Sequence, residues 1–186
     1  VVLIAGTGCS NDPLAEDHRV DGGTEFVATD GSRVDELQPD ERSSPVEFAG
    51  TLDTGARVTS DDYRGRVTVV NFWYAGCGPC RAEAQLLEAA HLALQDQDVA
   101  FLGVNLQDGA AASQAFAETY GVTYPSALAT IDGSVKLAFA GQTPLNAAPS
   151  TLVLDRDGRV ATRIIGQLRD GSILETVVHA LLEEHS

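Results

Sequence analysis

Positive charge is scarce in this chain: 12 Lys and Arg stand against 27 Asp and Glu over 186 residues, a formal net charge of −15. A surface of that sign repels phosphate backbones and excludes nucleic acid as the main partner. It favours solubility and draws basic partners inward. Cysteine is also sparse, at three residues. A chain of this length buries roughly two thirds of its unfolded surface without covalent staples, so those cysteines are free for chemistry. The apolar stretch at the start, Val1 to Ala5, is too short for a transmembrane helix. There is no internal repeat. What is present, 44% hydrophobic, 6% aromatic and 21% charged residues, is the composition of one globular domain with a tail.

Val1-Val2-Leu3-Ile4-Ala5-Gly6-Thr7-Gly8-Cys9-Ser10 runs from apolar through small residues to a cysteine, as the last part of a secretory signal does. The segment resembles the lipobox of bacterial lipoproteins, although Gly6 stands where that motif usually has Leu. The resemblance implies that residues 1–9 are the remnant of a signal peptide and that Cys9 is lipidated; the alternative is an ordinary exposed thiol. Residues 10–44 turn to Asp, Glu, Gly, Ser and Pro without a sustained apolar period, the pattern of an acidic flexible tether. Within it, Thr29-Asp30-Gly31-Ser32 carries a turn signal that allows a short hairpin around Phe26 to Val34. The folded domain is expected over residues 45–186.

That domain begins strand-like, with Val46 and Phe48 on alternate positions, a turn at Asp53-Thr54-Gly55 and Val58 in a return strand. Asp61 and Asp62 read as the start of a turn or helix before Tyr63. Val67 to Trp73 is a nearly continuous apolar run, as expected of a strand buried on both faces. Past Pro79, Ala82, Leu86, Leu87, Ala90, Ala93 and Leu94 follow helical spacing. Val99 to Val104 reads as a second buried strand, residues 110–120 as a helix and Val135 to Ala140 as a short helical piece. Thr151 to Leu154 and Val160 to Ile165, joined by Asp155-Arg156-Asp157-Gly158, predict an antiparallel hairpin. Ser172 and Glu175 have capping-box spacing ahead of a closing amphipathic helix. The order predicts an α/β fold with a mixed central sheet flanked by helices.

Cys77-Gly78-Pro79-Cys80 sits where the strand gives way to the helix. Two cysteines at this spacing close a disulfide across one turn, and a helix N-terminus offers a thiolate N–H donors and positive potential. Cys77 is therefore the expected nucleophile, and Cys80 the more buried thiol that resolves the mixed disulfide. A zinc site would need four ligands, and only Cys9 and four scattered histidines (His18, His91, His179, His185) are left to complete one. A c-type haem attachment needs His where Arg81 stands. A purely structural disulfide would gain little from so short a loop. No metal or other cofactor is expected beyond the redox-active pair itself.

Asn71-Phe72-Trp73-Tyr74-Ala75-Gly76-Cys77-Gly78-Pro79-Cys80-Arg81 resembles the active-site segment of the thioredoxin superfamily. Asn71 in place of that family's buried Asp, Glu83 three residues after Cys80, the N-terminal hairpin and the long stretch between Val104 and Pro149 resemble the TlpA/ResA branch. The resemblance covers roughly residues 45–183. It implies a thioredoxin-like fold with an N-terminal β-hairpin and an insertion before a cis-proline loop at Ala148-Pro149. In such a loop the backbone before the proline pairs with an extended substrate. It also implies a membrane-tethered, extracytoplasmic thiol-disulfide oxidoreductase of the bacterial cell envelope, monomeric and often serving cytochrome c maturation. Glu83 is then a partly buried carboxylate that takes the proton of Cys80; the other reading is an ordinary acid early in a helix.

Trp73 is expected half-exposed beside Cys77, with Gly78 and Pro79 completing the active-site loop. Tyr74 reads equally as a substrate contact or a core aromatic, and His91 as a satisfied or exposed helix histidine. Gly78-Pro79 is thioredoxin's own dipeptide and favours a reductant, with apocytochrome c as implied substrate and a membrane thiol transporter of the CcdA type as implied donor. The opposite direction, an oxidase for secreted proteins, is the alternative. A peroxiredoxin-like peroxidase lacks its Thr before the cysteine, where Trp73 to Gly76 stand. A copper-binding protein of the Sco type needs a wider cysteine spacing and a better placed histidine than His179.

Overall fold

The computed structural model describes residues 24–27, 32–144 and 146–184. Cys9, the residues before Thr24 and the turn expected at Thr29-Asp30-Gly31 lie outside them. In chain order the elements are β1 (Thr24–Val27), β2 (Arg33–Glu36), β3 (Ala49–Thr51), β4 (Arg57–Thr59), a 3₁₀ turn (Ser60–Tyr63), β5 (Val67–Trp73) and α1 (Gly78–Leu94). There follow β6 (Val99–Asn105), α2 (Ala110–Tyr120), β7 (Ser126–Leu128), α3 (Ser134–Ala138), β8 (Ser150–Leu154), β9 (Val160–Ile165) and α4 (Gly171–Glu183).

β5 is buried at every position and lies inside a seven-stranded sheet of order β1-β2-β9-β8-β5-β6-β7. β6 pairs parallel to β5, with α1 as the crossover between them, and β7 parallel to β6. β8 runs antiparallel to β5 on its other side. The sheet is thus mixed, as the sequence predicts, and β3 and β4 form a separate two-stranded sheet.

Strand alternation divides the core. Val67 and Val69 face α1 and α4, in one cluster with Leu87, Leu94, Leu174 and Val178. Val70 and Phe72 face the other way, toward Phe48, Val58, Val135 and Phe139 from the β3–β4 side and α3. Asn71 and Trp73 therefore share the α1 face, which places both under the active-site helix.

Several sequence expectations change here. Residues 32–44, expected in the tether, are laid against the sheet. Val34 is fully buried and pairs with Ile164 of β9, Leu37 N–H donates to the Ala161 carbonyl at 2.8 Å, and the buried Arg42 guanidinium donates to Glu184 at 2.7 and 2.8 Å. The folded unit thus reaches back from Pro45 to the β1–β2 hairpin, which forms with Val27 opposite Arg33. β7, not anticipated at all, extends the parallel edge. The last helix starts at Gly171 and is capped by Asp170, whose carboxylate accepts from Ser172 N–H at 2.9 Å, so Ser172 lies inside the helix and is not its cap. In α1 the buried stripe is Cys80, Glu83, Ala84, Leu87, Glu88, Ala90 and Leu94, while Ala82 and Ala93 are exposed.

The β8–β9 connection forms as expected: Asp155 Oδ1 accepts from the N–H groups of Asp157 and Arg159. Gly158 at φ +80° supplies the left-handed residue that the turn needs. Asp62 accepts from Thr59 N–H at 2.7 Å and opens the 3₁₀ turn.

Candidate active site

Cys77 is the N-cap of α1, and its sulfur accepts from Cys80 N–H at 3.1 Å. Pro79 occupies the first turn, where a missing N–H costs nothing and its fixed φ suits the helix. The two cysteines are joined as a disulfide with Cα atoms 5.2 Å apart. Both are covered, Cys77 at 4% exposure and Cys80 at 2%. The Cys80 N–H at the helix start points at the Cys77 sulfur, and together with the helix N-terminus this favours a thiolate there over one at Cys80. The Arg81 guanidinium reaches over Gly78, 3.8 Å from where a Cβ on that residue would stand, and brings a positive charge next to the residue that follows Cys77.

Cys80, Glu83, Ala84 and Leu87 follow one another at helical spacing on the buried stripe of α1. Glu83 is 1% exposed. Its two carboxylate oxygens are held separately: Asn71 Nδ2 donates to Oε1 at 3.0 Å and Leu168 N–H donates to Oε2 at 2.8 Å. Asn71 Nδ2 also donates to Thr151 Oγ1 at 3.1 Å, across the β5–β8 pair in which Asn71 and Thr151 stand opposite each other. Burial pushes the Glu83 carboxyl up to about 7, against the lowering effect of those two hydrogen bonds. Of the two readings open for Glu83, the surface acid is removed. The signal for burial was its position three residues after Cys80 and four before Leu87, on the apolar stripe.

The peptide bond between Ala148 and Pro149 is cis. Ala148 packs against the cluster of Trp73, Cys77, Cys80, Ala84 and Phe116, so the proline loop lies beside the disulfide as the resemblance implies. Ser150 begins β8 next to β5, and this pairing carries the loop to the cysteines.

Trp73 departs from expectation. It is 5% exposed, its ring stacked on Phe116 of α2 with centroids 4.2 Å apart. It walls the site from below and does not present a surface. Its indole and Ser126 of β7 together require Gly103 on β6, which stands between Asn71 and Ser126: a Cβ there would overlap Ser126 Oγ and stand 2.8 Å from Trp73 Nε1. Tyr74 is half-buried at the edge of the same cluster. Below the disulfide, Asn71, Trp73, Cys80, Tyr124 and Ser126 line a cavity of about 20 Å³, room for a single water molecule. Burial, then the charges of Glu83 and Glu88, push the Tyr124 phenol up. His91 packs its ring edgewise on Phe101 and Tyr124, away from the cysteines.

Sequence reasoning missed Asn105 and Asp108. Asn105 is fully buried at the end of β6, its Oδ1 accepting from the N–H groups of Gln107 and Asp108. Asp108 Oδ2 accepts from Ala75 N–H at 2.6 Å and from Asn105 Nδ2 at 2.9 Å. Asn-Leu-Gln-Asp after a buried strand is itself a turn signal, but nothing in it points to the loop around Ala75.

A thioredoxin-like sheet with a Cys-x-x-Cys pair at a helix start, a buried carboxylate behind it and a cis-proline loop beside it is the site of a thiol-disulfide oxidoreductase. The Redoxin family model matches residues 31–178, and the chain belongs to that family. It is 32% identical to the thiol-disulfide oxidoreductase ResA of Geobacillus thermodenitrificans over 58% of this chain and 59% of that protein. It is 31% identical to the thiol-disulfide oxidoreductase ResA of Geobacillus kaustophilus over 68% of this chain and 70% of that one. Among solved structures, a DsbF homologue from Corynebacterium diphtheriae superposes with a TM-score of 0.69 at 27% identity, covering 86% of this chain and all of that one. The chain is thus a thiol-disulfide oxidoreductase of the ResA type.

Proposed function

We propose that this protein is a disulfide reductase of the bacterial cell envelope, acting as a monomer on exported proteins such as apocytochrome c. Cys9 carries the lipid that holds it at the extracytoplasmic face of the membrane, and a membrane thiol donor of the CcdA type restores its dithiol. The observation that carries the exchange chemistry is the pairing of a helix-capping Cys77 with a buried Glu83, its carboxyl pushed up to about 7, one turn beyond Cys80.

The Cys77 thiolate attacks one sulfur of a substrate disulfide, forming a mixed disulfide and releasing the first substrate thiol. Cys80 then gives its proton to Glu83, whose affinity near 7 suits the transfer, and attacks the Cys77 sulfur. The Cys77–Cys80 disulfide forms, the second substrate thiol leaves, and two electrons have passed to the substrate. The dithiol pair itself carries these electrons, so the reaction calls for no other cofactor. The backbone at Ala148 and Pro149 is the surface on which an extended substrate lies. The Gly78-Pro79 dipeptide, shared with thioredoxin, supports the reducing direction, and the apolar-to-small run before Cys9 supports the tether.

The test is reduction of an oxidised Cys-x-x-Cys-His peptide by the reduced protein, followed by trapping of free thiols. Cys77→Ser abolishes the reaction and Cys80→Ser accumulates a mixed disulfide with the peptide. Undiminished turnover by Cys77→Ser overturns the assignment. Peroxide turnover with a thiol donor, or stoichiometric Cu(I) binding, would replace it with a peroxidase or a copper carrier.

A further inference from the structure

The loop that presents Cys77 is anchored from one direction only by its own helix. Cys77 N–H donates to the Tyr74 carbonyl at 3.1 Å and Arg81 N–H to the Cys77 carbonyl at 3.1 Å, both local contacts. The third anchor comes from elsewhere in the sheet. Asp108 follows β6 and reaches across to Ala75 N–H at 2.6 Å. Its carboxylate is itself fixed by the buried Asn105 amide at 2.9 Å, and its backbone carbonyl accepts from Thr130 Oγ1 at 2.9 Å. A charge-assisted hydrogen bond held at both ends is stronger and more directional than a neutral one. Ala75 is two residues from Cys77, which places the Asp108 charge within roughly 10 Å of the Cys77 backbone.

We propose that Asp108 is a positioning residue for thiol exchange: one carboxylate oxygen ties the Cys77 loop to the end of β6 and keeps a negative charge beside it. This rests on the reading of Cys77 as the nucleophile and adds what sets its reactivity. Two charges flank the loop, the Arg81 guanidinium over Gly78 and the Asp108 carboxylate under Ala75, with Glu83 buried behind Cys80. Arg81 stabilises the thiolate and Asp108 opposes it. A less stable thiolate means a less stabilised dithiol, and hence a more reducing pair.

The test compares Asp108→Asn, which keeps an acceptor oxygen and removes the charge, with Asp108→Ala, which removes both. Alkylation of Cys77 by iodoacetamide in the reduced full chain, followed across pH, reads the thiol directly. Asp108→Asn lowers the apparent pKa of Cys77 by about 0.5 to 1 unit and makes the pair less reducing. Asp108→Ala shows the same shift and reacts with a peptide disulfide about 10- to 100-fold more slowly than Asp108→Asn at a pH where Cys77 is ionised in both. A wild-type titration in Asp108→Asn overturns the electrostatic role. Equal rates in the two variants overturn the tie to β6. A wild-type chain that exchanges no disulfide would refute the proposed function and with it the positioning role in exchange, while a shifted alkylation profile in Asp108→Asn would leave standing only the electrostatic effect of Asp108 on the Cys77 thiol.

Discussion

Replacing Glu83 by Gln removes a buried carboxyl whose proton affinity the fold raises from 4.5 to about 7. The folded protein therefore holds that proton more tightly than the unfolded chain does. Linkage makes the group's contribution to stability complete below pH 4.5, diminishing as pH rises between 4.5 and about 7, and gone above. Between pH 5 and pH 8 the wild type should lose about 2.5 kcal/mol through this one group. The glutamine cannot ionise, and whatever it costs in hydrogen bonding at the Asn71 and Leu168 donors is the same at both pH values. Urea unfolding of the oxidised wild type and the variant at pH 5 and pH 8 isolates the effect, because all other titrations cancel in the difference. The stability of the variant relative to wild type should rise by about 2.5 kcal/mol from the lower to the higher pH. A relative stability that is the same at both would show that Glu83 is not a buried acid of raised affinity. In turnover, the step that resolves the mixed disulfide should accelerate through pH 7 in the wild type and lose that inflection in the variant.

Asn71→Ala removes the side-chain donor that stabilises the Glu83 carboxylate. The upper end of the same stability loss, set by the folded-state affinity of Glu83 near 7, should move up by roughly one to two units, and an unmoved upper end would break the link between the two residues. Gly103→Ala places a Cβ against Trp73 Nε1 and Ser126 Oγ; it should cost about 1 to 3 kcal/mol in denaturant unfolding and change Trp73 fluorescence. Ser126→Ala in the same chain should recover part of the loss, and full stability of Gly103→Ala alone would show that the strands have room to part.

The active-site strand and helix were legible because their information is local. Val67 to Trp73 reads as a buried strand on its own residues, Pro79 fits a first helical turn, and the cysteine spacing fits nothing else as well. The β8–β9 hairpin was legible for the same reason, through Asp157-Gly158. What escaped depends on partners far along the chain. Val34 lies among acidic and polar residues that read as a tether, and only β9, about 130 residues later, shows that it is core. β7 has three residues, too few to display a period, and exists because β6 offers an edge. Trp73 is expected partly exposed beside Cys77, yet strand alternation puts it on the α1 face, where Phe116 of α2 covers it. Glu83 is singled out by the family resemblance, but Glu88 hides in the buried stripe of α1 because a search for apolar residues passes over acids. Glu88 is there to accept from Thr123 N–H and Oγ1 and fix the chain after α2. Asp108 needed the loop of Ala75 folded against it before its purpose could be seen.

The direction of electron flow is the central claim, and the equilibrium reduction potential of the Cys77–Cys80 pair tests it most directly. Purified protein is titrated against defined dithiol buffers and its free thiols are trapped. A reductase of exported proteins requires a value near or below about −250 mV, in thioredoxin's range. A value near about −120 mV would make the protein a donor of disulfides and contradict the account.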